Sequence, residues 1–441
     1  IGFFMQGLDT TIINTAIPAI AHSLNEDPLS MHSVVVAYVL SVAACIPLSG
    51  WLADRFGVRN TFFAAIVIFT FASLGCAFSS SLNELLIYRV IQGIGGAFLL
   101  PVGRLAMLKI IPRSQFLAAM SLMSLAGLIG PLIGPTLGGW MVEYMTWHWI
   151  FLINIPMGIL GVFVTFKAMP NVKETTVKKF DFSGFILLVF AMVGLSLGIE
   201  NLANKQNAAW VSIALIITGV VATLIYAFHA INHQNALFRA SLFKNRIFTI
   251  GILGNFFARF GGNALPFLLP LMLQVAFGFD PFITGLLMIP TVLGSLASKP
   301  IIRPLIQRFG YRQVLLINTL LVGVCIASFA LHTADTPTWF RLIHFFIFGV
   351  LNSLQFVSMN TLTLKDLSQQ NASSGNSFLS MIMMLSMSLG VALAGTLVNV
   401  FTQHLGTVHT LQAFNYTLLC LASINIIAAL IFWQIPKNTP I

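Results

Sequence analysis

Apolar residues run along this chain in blocks of about twenty, separated by short polar or Gly/Pro-rich breaks, a pattern that predicts helices long enough to cross a bilayer. Fourteen blocks can be read, at 1–20, 33–53, 60–79, 84–108, 116–142, 148–168, 182–202, 209–229, 247–276, 283–302, 312–331, 338–363, 374–402 and 413–433. The fifth contains Gly127-Leu-Ile-Gly-Pro-Leu-Ile-Gly-Pro-Thr-Leu-Gly-Gly-Trp140. Helical spacing puts Gly130, Gly134 and Gly138 on one stripe and Pro131, Pro135 and Gly139 on the next. The glycines form two overlapping small-xxx-small repeats, which let a second backbone come close. The prolines remove two donors and should bend the helix. A single GxxxG would indicate generic packing; so much Gly and Pro in register favours a bendable interface.

Composition fixes the class. Of 441 residues 57% are hydrophobic and 8% charged, against roughly 25% charged in a soluble domain. The chain is an all-α polytopic membrane protein, with the lipid bilayer as its first partner. Its net charge of +10 could suggest nucleic acid, but the placement of the charges assigns them to membrane topology. With the amino terminus in the cytoplasm, the outward turns 21–33, 80–83, 141–148, 276–282 and 402–413 hold no Lys or Arg. Lys205 is the clear outer exception, with Arg341 close to an end. The opposite side carries Arg55, Arg59, Lys109, Lys173, Lys178, Lys179, Arg303 and Arg308, among others. This bias fits both termini in the cytoplasm. Ile1 already lies inside an apolar run, so an amino-terminal piece is expected to be missing.

The organisation reads as a six-helix bundle (1–170), two additional helices with flanking cytoplasmic segments (171–246) and a second six-helix bundle (247–441). Weak internal repetition relates the halves: Arg89 and Arg341 sit near the same end of the fourth and twelfth helices, and the turn 54–59 has a basic counterpart at 303–312.

Asp9 is the leading chemical candidate. It precedes Pro18 by nine residues, about 13 Å along a helix, which puts it near the middle of a roughly 30 Å hydrocarbon core. A carboxylate there is costly when ionised and is by default a functional group, here a proton acceptor. The alternative is a structural hydrogen bond between helices. Arg89 is expected to approach Asp9 and tune its proton affinity, with Gln92 one turn away; the alternative for Arg89 is snorkelling. In the second half Arg259, with Asn255 and Asn263 at helical spacing, could hold an anionic group or pair with Asp9. Met384 and its neighbours Met381, Met383 and Met387 either line an adaptable cavity or pack against adjacent helices.

Several chemistries drop out. Gly194-Leu-Ser-Leu-Gly198 spells GxSxG inside an apolar helix, without the strand-turn-helix setting a nucleophile elbow needs. No G-x-x-x-x-G-K-[ST] occurs. His229 and His233 lie at a loop edge without an evident third ligand, and Cys45, Cys76, Cys325 and Cys420 are scattered in apolar runs. No catalytic residue, metal or cofactor is expected.

Gly130, Gly134-Pro135 and Gly138-Gly139 also spell GxxxGPxxGG, which resembles the fifth-helix antiporter motif of the major facilitator superfamily's drug:proton exchangers; Pro131 is an added proline within it. Gly50-Trp-Leu-Ala-Asp-Arg-Phe-Gly-Val-Arg59 resembles the superfamily's signature loop, matched at Gly50, Asp54, Arg55, Gly57 and Arg59, with Asn60 in place of a frequent cation. Leu8-Asp-Thr-Thr-Ile-Ile-Asn-Thr-Ala-Ile-Pro18 is similar to the first-helix motif of the fourteen-helix members. Arg89-Val-Ile-Gln-Gly-Ile-Gly-Gly96 is similar to that of the fourth helix, and Trp147–Pro156 to the entry to the sixth. Trp147 and Trp149 fit an interfacial anchor better than a substrate site.

The resemblance implies the major facilitator fold with fourteen helices and a cavity between halves that opens alternately to either side. It implies a signature loop that acts as a cytoplasmic ionic latch, and proton-coupled efflux of a small molecule, foremost hydrophobic drugs or dyes. An organic anion is the alternative substrate, motivated by Arg259 and by a second half without a midplane acid. A nontransporting sensor and uptake by symport are further alternatives. Accessory efflux partners are not specified by the sequence.

Overall fold

The computed structural model describes residues 1–111, 113–174, 179–203, 209–233, 235–367 and 369–436; Lys178 and Lys205, used above for the charge bias, lie outside them. Every described element is helical, as a lipid environment demands of a backbone that must satisfy its own polar groups. Among the described residues eleven segments are long and apolar enough to cross a membrane. The chain divides into two compact units, residues 1–185 with 280–285, and 186–279 with 286–441. The two additional helices therefore group mainly with the second unit.

The first unit contains α1 (Gly2–Ile12), α2 (Ile17–Leu24), α3 (His32–Cys45), α4 (Leu48–Phe56), α5 (Val58–Ala77), α6 (Leu82–Ile110), α7 (Arg113–Tyr144), α8 (Trp149–Leu152) and α9 (Asn154–Ala168). The expected run 1–20 is not one helix. A 3-10 turn at Ile13–Thr15 separates α1 from α2, and Pro18 stands in the first turn of α2, where its missing N–H costs nothing.

Glycines set how closely these helices approach. The stripe on α7 lies against the backbone of α1: a methyl group placed on Gly130 would sit 2.6 Å from the Leu8 nitrogen, and one on Gly138 would run into the Ile12 carbonyl. The Thr15 hydroxyl donates to the Pro135 carbonyl at 3.2 Å. On α6, Gly93 and Gly95 do the same for two neighbours at once. A methyl on Gly93 would lie 2.6 Å from the Tyr38 carbonyl of α3, and one on Gly95 2.7 Å from the Phe69 nitrogen of α5.

The second unit holds most of α10 (Phe182–Glu200), then α11 (Ala209–Asn232), α12 (Arg246–Phe257), α13 (Arg259–Leu271), nearly all of α14 (Pro281–Ser328), α15 (Thr338–Lys365), α16 (Gln369–Leu405) and α17 (Thr410–Trp433). The GxSxG lookalike is packing surface: Gly194 meets Gly219 of α11, whose nitrogen would be 2.8 Å from an added methyl. The expected run 247–276 breaks between α12 and α13, and Asn425 caps the break by donating to the Ala258 carbonyl at 2.9 Å. The runs 283–302 and 312–331 join through Gly310, at φ 73° and ψ 161°. Gly57, between α4 and α5, has nearly the same conformation, φ 90° and ψ 151°. Both glycines stand in Arg-Phe-Gly-x-Arg, so the internal repeat is visible in backbone geometry as well as in charge.

Gly130→Ala should separate α1 from α7 at a cost of roughly 1–3 kcal/mol. Gly127→Ala, whose methyl would meet nothing closer than 3.7 Å, should leave stability unchanged. Thermal unfolding of the two purified variants checks the contrast.

Candidate functional site

Asp9 is 1% exposed, and the bonds that fill its carboxylate come from other helices of the first unit. Arg89 Nη1 donates to Oδ2 at 2.8 Å, Gln92 Nε2 to Oδ1 at 2.8 Å, and Asn154 Nδ2 to Oδ1 at 3.4 Å. The close approach of α6 to α3 and α5 supports the two α6 donors from behind. Arg89 Nε donates to the Val34 carbonyl at 3.2 Å, and its guanidinium lies 4.4 Å over the Tyr38 ring. Gln92 also reaches the Ser73 hydroxyl at 2.8 Å, and its own carbonyl accepts from Arg89 at 2.6 Å. Arg89 is fully buried, so its charge does not reach outward to an interface in the manner of a snorkelling side chain.

The cluster is not saturated. Among the described residues Arg89 Nη2, the Tyr38 hydroxyl and Asn154 Oδ1 have no hydrogen-bond partner. Such groups are uncommon in a settled core and give this one spare donors and acceptors for a second arrangement.

The signature loop is built differently. Gly57 turns the chain between α4 and α5, and Asp54 pairs with Lys109 of α6 at 3.0 Å rather than with the neighbouring Arg55 or Arg59. Lys109 is shared with Glu174 at 2.7 Å. The segment Asn171–Glu174 straps across the turn, with Val58 N donating to Val172 O at 3.0 Å and Glu174 N to Asp54 O at 3.1 Å. Arg55 packs 5.1 Å over Trp51, and Arg59 5.4 Å over Phe166. Asp54 is 39% and Glu174 51% exposed, so each pair contributes about 0–1 kcal/mol and is easily exchanged. Gly50 has open space beside it.

On α7, Gly139 and Pro135 lie against residues 281–285 of the same unit, where the Thr136 hydroxyl donates to the Gly285 carbonyl at 3.2 Å. Trp147 is buried, 3.9 Å over His148, whereas Trp149 is 44% exposed.

In the second unit Arg259 is 5% exposed and has neutral partners: Asn255 Oδ1 at 2.9 Å, Asn360 Oδ1 at 3.0 Å and the Phe356 ring at 4.3 Å. Asn255 is itself fixed by donating to the Gly251 carbonyl and the Thr363 hydroxyl. Asn263 lies one turn further along α13, half-buried, and makes none of these bonds. Met384 is half-buried on α16 and Met381 buried. Arg341, the positional counterpart of Arg89, donates to the Thr333 and Ala334 carbonyls and stacks on Phe279 at 4.7 Å. The buried pair His332 and His344 is 2.8 Å apart. Burial, His344 and Arg341 together push the His332 imidazole down to about 4, so it is neutral at physiological pH.

Reasoning from sequence missed Asn154, Ser73, Tyr38, Asn360, Lys109 and Glu174 as partners. Asn154 had a signal, lying in Ile-Asn-Ile-Pro156 within a stretch already singled out for its tryptophans.

Removing one member of a buried pair leaves an uncompensated charge, at a cost of roughly 3–5 kcal/mol. Arg89→Gln should therefore lower stability strongly, and adding Asp9→Asn should recover most of the loss. A double-mutant cycle on unfolding in detergent checks this. Lys109→Ala should shift stability by no more than about 1 kcal/mol.

The Major Facilitator Superfamily profile matches residues 1–390 and 251–440 of the chain. A relative from Escherichia coli O6:H1, named "Putative multidrug resistance protein MdtD", is 51% identical over 445 residues, covering 99% of this chain and 93% of its own length. The protein of the same name from Salmonella typhimurium is 51% identical over 443 residues, with 99% and 94% covered. Among solved structures, a D-xylose-proton symporter superposes with a TM-score of 0.69 at 16% identity, over 99% of this chain and 96% of its own. The nucleoside transporter NupG superposes at 0.67 and 15%, with 98% and 96% covered. At such identities these two speak for the fold alone.

Proposed function

Given that the chain belongs to the Major Facilitator Superfamily, and is thus a multi-pass membrane transporter rather than an enzyme, we propose that it is a proton-coupled antiporter that exports hydrophobic drugs or dyes by alternating access. The observation that carries this reading is the buried Asp9–Arg89–Gln92 cluster, in which Asp9 stands on α1, whose turns on either side of it lie against the glycine stripe of α7. The relatives' name, with its reference to multidrug resistance, supports the substrate class.

In this reading Asp9 is the proton site and Arg89 sets its proton affinity. Protonation removes the negative half of the ion pair, and the guanidinium is left with the Gln92 and Val34 carbonyls and the Tyr38 ring. The carboxylate is 1% exposed, so loading a proton requires the cluster to open, which α1 achieves by shifting along α7. The flat glycine contact permits that shift, and the Thr15–Pro135 bond is the specific contact exchanged. Loading from outside weakens substrate binding, and release inward restores the pair. Each proton crossing 100 mV supplies about 2.3 kcal/mol for export. The Asp54–Lys109–Glu174 group acts as the cytoplasmic latch, its weak pairs breaking and reforming with each cycle. Protons are the coupling ion, both termini lie in the cytoplasm, and the membrane is a bacterial inner one.

A second substrate class has its own observation. Arg259 is held by two asparagine oxygens and a ring, with no carboxylate among the partners named above, so a bidentate anion such as a carboxylate would complete it. Asn255, Asn263 and Met384 would then contribute to the wall around that anion.

Proteoliposomes loaded with matched cationic, neutral and anionic substrates test both readings. Wild type should couple substrate efflux to proton influx, and Asp9→Asn should abolish the coupling. Full proton-driven export by Asp9→Asn would remove the proton assignment. Arg259→Ala should spare neutral dyes, and if it also spares anions the second substrate class falls.

A further inference from the structure

The two additional helices and α16 enclose a feature apart from the Asp9 cluster, the signature loop and Arg259. Leu188, Met192 and Leu195 of α10, Tyr226 and Ala227 of α11, and Phe378 and Met381 of α16 are among the walls of an apolar slot of about 310 Å³. Its two side-chain hydroxyls are spent within the protein. Thr223 donates to the Gly219 carbonyl at 2.8 Å, while Tyr226 accepts from Phe238 N at 3.0 Å. At one end the slot shares Ala230, Ile231 and Ala240 with a second cavity of about 540 Å³, lined by Arg239, Ser241 and Lys244. Arg239 and Lys244 are exposed, and among the described residues neither is in an ion pair. The junction is firmly built: Phe238 packs on Phe378 at 4.8 Å, and Phe243 on Phe378 at 5.3 Å.

From this juxtaposition we infer that the two cavities form one site for an anionic phospholipid, with its phosphate between Arg239 and Lys244 and an acyl chain in the slot. Both chemistries are required together. Two cations at the end of membrane helices attract phosphate, and an apolar groove with no spare polar group excludes the headgroup but accepts methylenes. The slot extends from Leu188 to Leu195, about 10 Å of helix rise, enough for part of one chain. Leu224 and Phe228 of α11 are exposed apolar residues, at 55% and 67%. A bound lipid would join α10 and α11 to α16 where direct side-chain packing leaves a gap.

Native mass spectrometry of the delipidated full chain tests the assignment, using phosphatidylglycerol, phosphatidylcholine of the same acyl chains, and glycerol 3-phosphate as probes. Phosphatidylglycerol should bind, phosphatidylcholine should bind at least about tenfold more weakly, and glycerol 3-phosphate should not compete. Losing both charges in Arg239→Gln/Lys244→Gln should weaken phosphatidylglycerol roughly thirtyfold, while Arg308→Gln, an exposed charge elsewhere, should not. Ala191→Trp should close the slot and reduce binding, with the milder Ala227→Leu in its place should that variant not fold. Equal binding of the two lipids would overturn the proposal, as would competition by glycerol 3-phosphate or retention of phosphatidylglycerol by the double variant or the slot variant.

Discussion

A charge in hydrocarbon must find its opposite, and the first unit is arranged around one such pair. Taking a carboxylate and a guanidinium out of water costs several kcal/mol per ion, so Asp9 and Arg89 are tolerable only when aligned at 2.8 Å with further donors around them. The alignment comes from residues that carry no charge. Gly93 and Gly95 let α6 sit close enough to α3 and α5 for the Val34 carbonyl, the Tyr38 ring and the Ser73 hydroxyl to support it. Gly130, Gly134 and Gly138 then bring α7 against α1 on either side of Asp9 in the sequence. A glycine-rich motif and a buried acid, separate features along the chain, are two parts of one packing solution.

Electrostatics of two strengths therefore coexist in this unit. The interior pair is expensive to break, whereas the half-exposed group of Asp54, Lys109 and Glu174 is cheap. On the proposed reading the first serves as a site whose charge state shifts the energy of a conformation, and the second as a closure that does not trap that conformation. The second unit repeats the backbone of the signature turn at Gly310 but has Gln307 where the first has Asp54. It likewise repeats a buried arginine, Arg341, but pairs it with main-chain carbonyls instead of an acid. The internal repeat thus survives in shape while its charge chemistry is concentrated in one copy.

Much of this was legible in the sequence because it depends on local period. The apolar runs and the stripe on α7 each follow from residues within one or two turns. What was not legible depends on the rotation of helices far apart in the chain. Asn154 reaches Asp9 across 145 positions, and Lys109 reaches Asp54 across 55. No period in either segment reports that meeting. Gln92 shows the same limit: its place one turn from Arg89 was readable, but that Asp9, Ser73 and Arg89 would occupy its amide was not. The two expected runs 283–302 and 312–331 are separate helical stretches, divided where Gly310 takes a positive φ.

The most direct measurement of the central claim is the proton released when substrate binds to the purified protein in weakly buffered detergent solution. If Asp9 is where proton and substrate exclude one another, adding a transported dye should release protons from wild type in proportion to dye bound, and Asp9→Asn should bind dye without release. Release of the same size from Asp9→Asn would contradict the account.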